Sequence, residues 1–201
     1  MRVNHPDPTF VLMSDQIPRR CPGGTFFFTI RLADRSSDLL IRHIAHLRTA
    51  MRETKLRHAF QIDAICVLPS VIHTIWTLPE GETGYANRIR MFKSRFSRSQ
   101  PMPAHRTLHQ IQRGEKGIWQ RRHWEHQIND SLDFARHRDL VYLSPVHAGL
   151  CETPQDWPHT SLHRDMATGV RAPDPIGYGA ARLNHMPPPP HRYRDDIQRA
   201  M

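Results

Sequence analysis

Within WQRRHWEHQI, residues 119–128, tryptophan, arginine and histidine side chains interleave. Read as a strand, Trp119, Arg121, His123 and Glu125 share one face, and Gln120, Arg122, Trp124 and His126 share the other. Arginine beside tryptophan suits stacking on unpaired bases and ion pairing with phosphates. The bland reading puts both indoles in a core and both guanidinium groups in water. We expect a split, with one Trp in the core and Arg121 and Arg122 turned toward DNA. A second basic surface accompanies it. Residues 85–98 place Tyr85, Ile89, Phe92 and Phe96 on one helical face, and Arg88, Arg90, Lys93, Arg95 and Arg98 away from it. The expected nucleic-acid contacts are therefore Arg88, Lys93, Arg95, Trp119, Arg121, Arg122 and Trp124.

Other titratable residues are more isolated. His73 lies in the strand-like run VIHTIWTL (71–78) beside Val71, and a half-buried imidazole satisfied by a neighbour is its more ordinary role. His105 and His109 are four apart but sit in a Pro-flanked loop, so the pair is read as incidental. Cys21, Cys66 and Cys151 are odd in number and form no CxxC pair. They suggest a reducing cytosol, with no disulfide framework and no zinc site.

The whole chain sets the context for these groups. It has 201 residues, 28 Lys and Arg against 19 Asp and Glu, and a net charge of +9. The isoelectric point is near 10.3. Such a balance favours polyanionic partners, nucleic acid first and an anionic membrane surface second. Fifteen histidines add charge below about pH 6.5. No apolar run reaches membrane-spanning length and no signal pattern opens the chain, so a cytoplasmic protein is expected.

The expected elements position these groups as follows. Residues 1–23 read as an irregular arm rich in Pro and Gly, 24–170 as one domain, and 171–201 as a Pro- and Arg-rich flexible tail. FFFTIRL (26–32) reads as a strand and 37–56 as an amphipathic helix, with Ser36 or Ser37 as its cap. Runs 60–68 and 71–78 form an antiparallel hairpin joined at Pro69 and Ser70. Helix 85–98 follows, then a loop over 99–117 and a strand over 119–128. A third helix from about Asp130 is expected to end before Pro145. In DWPHTSLHRD (156–165), Trp157 and Pro158 are expected to pin the segment to the domain, with Thr160 or Ser161 capping a turn. The order β-α-β-β-α-β predicts a ferredoxin-like α+β fold, an antiparallel sheet with helices packed on it. Its second face is left for a ligand or for the third helix.

From Gly23 to about Gly169 the chain resembles the REP-associated tyrosine transposases, relatives of the single-tyrosine insertion-sequence transposases. The resemblance rests on PGGTFFFTIRL, LPSVIHTIWTLPEG, GIWQRRHWEHQI, YLSPVHAGL and DWPHTSLHRD. It implies a bacterial protein that recognises a short hairpin in single-stranded DNA. It also implies a His-hydrophobe-His strand motif holding Mg²⁺ or Mn²⁺, which polarises the scissile phosphate. A helical Tyr would attack that phosphate and become covalently attached, and a polar residue one turn later would help hold the metal.

This chain departs at each point. His73 matches the second His, while the first position is Val71. Leu140 stands where the Tyr is expected, and Ser144 where the family has Asn before Pro145. One imidazole and a serine are a poor site for a hard cation. Tyr142 is the remaining candidate nucleophile, but residues two apart on a helix point about 200° away from each other. The leading expectation is a hairpin-binding protein defective in strand cleavage, with its metal weakly bound or lost. The alternatives are an active transposase using Tyr142, and a decayed gene product without selected activity.

Overall fold

A computed structural model of the chain describes residues 23–174 except 83, 104 and 105. The arm up to Pro22, Cys21, His105 and the tail beyond Asp174 lie outside the described residues. Strand β1 (Thr25–Arg31) is followed by helices α1 (Leu39–Arg42) and α2 (Ile44–Arg57), then by strands β2 (Gln61–Val67) and β3 (Val71–Thr77). Next come α3 (Tyr85–Arg98), α4 (Leu108–Gln112), β4 (Trp124–Gln127), α5 (Ser131–His147) and α6 (Leu162–Ala167). The strands form one antiparallel sheet in the order β2-β3-β1-β4. This is the expected ferredoxin-like α+β arrangement.

Alternation along β1 divides the core in two. Phe26, Phe28, Ile30 and Leu32 point to α2 and α3, where they join Leu47, Ile72, Trp76, Ile89, Phe92 and Phe96. Phe27 points the other way, into a second cluster with Ala64, Cys66, Val71, Ile75, Val141 and Tyr142. Fully burying one such aromatic side chain contributes about 1.5–3 kcal/mol. The third helix therefore covers the second sheet face. An irregularity between Ile62 and Ala64 in β2 shifts its alternation. Ile62 and Ile65 thus face the first cluster, while Ala64 and Cys66 face the second.

Several expectations change at the level of elements. The first helix is interrupted at His43 and starts at Leu39, where Ser37 Oγ accepts from the Leu39 N–H at 3.2 Å. The expected loop 99–117 contains α4, capped reciprocally by Thr107 and Gln110. The third helix runs through Pro145 to His147. Proline removes the N–H that would bond the Val141 carbonyl, and Ser144 Oγ donates to that carbonyl instead, at 2.7 Å. The helix continues because its orphaned acceptor is satisfied.

The segment after α5 closes the outer edge of β2. Trp157 Nε1 donates to the Val67 carbonyl at 2.9 Å, the Val67 N–H donates to the His159 carbonyl, and the Ser161 N–H donates to the Ile65 carbonyl. Thr160 Oγ1 accepts from the Leu162 N–H at 3.2 Å, the turn-capping role expected of it. Packing continues past residue 170, since Ala172 lies against the second cluster.

Candidate functional site

His73 projects from β3 toward α5, cross-paired with Thr29 of β1. Its Nδ1 and the Thr29 hydroxyl share a hydrogen bond of 3.0 Å, and its ring stacks at 6.0 Å on Phe27. Burial, and then the nearby Arg31 guanidinium, push its pKa down to about 3. Val71 lies on the same face inside the second cluster, opposite Arg31 in the register. A divalent cation here would meet one imidazole nitrogen, a valine and an adjacent guanidinium. The residues present do not fit the metal that the strand motif would imply.

On α5, Leu140 packs against the same apolar cluster. Tyr142 is fully buried in it, and its phenol donates to the Asp165 carboxylate of α6. Burial first, then the bond to Asp165, raise the Tyr142 pKa. Both effects oppose formation of a phenolate. Ser144 spends its hydroxyl on Val141. At these positions the side chains are engaged by apolar packing and internal hydrogen bonds.

The basic surface is only partly as expected. Arg88 is a correction: it is 2% exposed, ion-paired with Glu82, and donates to the Ala59 carbonyl at 2.8 Å. It belongs to the domain interior because Ala59 and Glu82 close over the first turn of α3. Lys93 is half-buried and donates from Nζ to the Gln120 carbonyl at 3.0 Å; burial lowers its pKa to about 8. Arg95 pairs with Glu53 at 2.5 Å.

Trp119 packs on Phe92 and Phe96 and donates to the Lys93 carbonyl. Trp124 packs edge-on against Phe27 at 5.4 Å, so both indoles serve the two cores. Only 124–127 form regular strand. Between the Leu32–Trp119 bridge and the Thr29–Trp124 pair, five steps of one segment oppose three of the other. Arg121 and Arg122 fall in this excess and are both exposed. Both lie in an irregular bow outside regular strand, so the two-face alternation expected of them does not apply.

Sequence reasoning missed one constellation on the α5 face. His126 Nε2 lies 2.9 Å from Asp133 Oδ2, and His137 Nδ1 lies 2.9 Å from Asp133 Oδ1. Asp133 and His137 are one helical turn apart, which the sequence does display. His126 joins them only because β4 turns directly into α5. Asp133 also accepts from the Asn129 N–H at 3.0 Å. Burial would raise its pKa, but the His126 and Asn129 hydrogen bonds outweigh this and hold the carboxyl below its ordinary value. Both thiols among the described residues are held protonated. Burial pushes the Cys66 pKa up to about 12, and burial and then Asp156 raise that of Cys151.

Fold and site together define an α+β protein whose irregular, arginine-bearing segment lies at one sheet edge and whose other sheet face is covered by α5. No family model matches the chain. A Haemophilus influenzae protein named as a REP-associated tyrosine transposase is 41% identical over 153 residues, spanning 76% of this chain and 87% of that protein. The REP-associated tyrosine transposase of Escherichia coli K12 is 39% identical over 148 residues, spanning 74% and 82%. Among solved structures, a REP-associated tyrosine transposase bound to a REP hairpin matches at a TM-score of 0.66 and 38% identity. That match covers 79% of this chain and 88% of the other. The chain belongs to the REP-associated tyrosine transposase family. Among the described residues, no helix is long and apolar enough to cross a membrane.

Proposed function

We propose that this protein binds hairpin-forming single-stranded DNA in the cytoplasm and does not cleave it. Binding is supported by the net charge of +9, by the exposed Arg121 and Arg122, and by the solved relative bound to a REP hairpin. Lys93 and Arg95 add positive charge, while Trp119 and Trp124 support the segment from beneath. The observation that carries the loss of cleavage is the burial of Val71 in the second core, with Leu140 packed against it. Neither can ligate a metal or attack phosphorus, so the family's Mg²⁺ or Mn²⁺ is weakly held or lost. A reading in which Tyr142 cuts DNA requires its phenol to leave Asp165 and the core before it can reach a phosphate.

The test is a labelled hairpin with a single-stranded flank, taken from DNA beside the gene and incubated with Mg²⁺ or Mn²⁺. A native gel should show hairpin binding stronger than duplex binding, and a denaturing gel should show no covalent adduct. Val71→His and Leu140→Tyr should each fail to restore an adduct. Combined, and with Ser144→Asn, they have the parts for partial recovery, because metal and nucleophile act as a unit. A metal-dependent adduct from the unmodified protein that vanishes in Tyr142→Phe overturns this reading. Equal affinity for hairpin and duplex removes its binding half and favours a decayed gene product.

A further inference from the structure

We propose that His126, Asp133 and His137 form a binding site for a borderline divalent transition metal such as Zn²⁺ or Co²⁺, distinct from the strand motif around His73. The donor atoms of the three lie within 4.8 Å of one another. The two nitrogen-to-oxygen separations are both 2.9 Å. Two donors each about 2.1 Å from a tetrahedral ion are about 3.4 Å apart, so each nitrogen must withdraw from the carboxylate by about half an ångström to enclose an ion. The chemistry of the set selects the metal class. Two imidazoles and a carboxylate suit Zn²⁺, Co²⁺ or Ni²⁺, whereas Mg²⁺ prefers oxygen donors in greater number.

The site is reachable and braced. The side chains of His126, Asp133 and His137 are 32%, 19% and 18% exposed, enough for an ion to enter from solvent. The His137 ring lies on Phe27 at 5.1 Å, and the Asn129 N–H orients the carboxylate. The two imidazoles stack at 4.4 Å, so a shared ion requires one ring to tilt about its soft terminal torsion. His137 Nδ1 also lies 2.9 Å from the Asp133 carbonyl. Ligation through Nδ1 moves the ring proton to Nε2, which leaves a neutral imidazole. Three protein ligands leave at least one position for water. The ion would tie the short edge strand β4 to the first two turns of α5. This inference goes beyond hairpin binding and does not depend on it.

The experiment is calorimetric titration of Zn²⁺ into the full chain, previously stripped with a chelator. Visible absorption of the Co²⁺ form and the Zn²⁺ dependence of Tm provide parallel readouts. We expect one saturable equivalent, a rise in Tm, and no competition from Mg²⁺. Asp133→Asn should weaken binding more than about tenfold, since even outer partners of metal ligands are commonly worth 10–100-fold. His126→Gln with His137→Gln should abolish that equivalent. If the double variant does not fold, His126→Gln alone, on the partly exposed edge strand, takes its place. Absence of the equivalent, or Zn²⁺ binding unchanged in Asp133→Asn and the histidine variants, overturns the site. The three residues are then a hydrogen-bonded brace, and any ion bound elsewhere belongs to other histidines.

Discussion

A buried imidazole beside a guanidinium is stable only when neutral, and His73 is in that position. Its folded pKa of about 3 lies below the ordinary 6.5. Between those values the unfolded chain holds a proton that the folded chain lacks. The stability that neutral His73 provides is therefore complete above about 6.5. It declines as pH falls toward about 3, at a maximum of about 1.4 kcal/mol per pH unit. His123, His147 and His159 are also lowered, primarily by burial, and act with the same sign. Melting followed between about pH 7 and pH 5 should show Tm falling, with a shallower fall in His73→Gln. An identical slope in that variant would show that His73 is not the principal buried proton acceptor. At this same scale, the inability of Val71 and Leu140 to ligate a metal or attack phosphorus was legible because it resides in residue type alone. The partners of Tyr142 and Arg88 were not, because Asp165, Glu82 and Ala59 meet them only through folding.

The elements show where periodicity suffices and where it fails. Helix α3 lies where its apolar spacing put it, and the β2–β3 hairpin turns at Pro69 and Ser70. Both signals are strong because a buried face repeats without interruption. Helix α4 was readable in principle, since Thr107 followed three residues later by Gln110 is a capping box. The prolines and glycines around it masked the signal. The passage of α5 through Pro145 depends on one hydroxyl. Removing it in Ser144→Ala leaves the Val141 carbonyl buried without a donor and should cost about 1–2 kcal/mol. In a Pro145→Ala background the restored N–H can serve that carbonyl, so the same substitution should be nearly neutral. Urea midpoints for the four proteins of this cycle measure the coupling. Equal losses in both backgrounds would assign the stability of the turn to packing rather than to this hydrogen bond.

For the whole molecule, net charge governs association with polyanions more than it governs folding. Hairpin affinity should fall linearly on a log–log plot against salt. Arg121→Ala with Arg122→Ala should flatten that slope by about 0.7–0.9 per lost phosphate contact, up to about 2 in total. An unchanged slope would move the DNA path away from the bow. The sequence alone determined the α+β class, the order of the strands and main helices, the basic balance and the apolar character of Val71 and Leu140. Those properties reside in residue type and short-range spacing, which survive in one dimension. Tertiary structure decided that α5 covers the second sheet face, that Arg88 is interior, and that Arg121 and Arg122 are exposed in an irregular segment. It also brought His126 to Asp133 and His137. Each of these depends on which segments meet across the sheet, and burial and hydrogen-bond satisfaction select those meetings only when the whole core assembles.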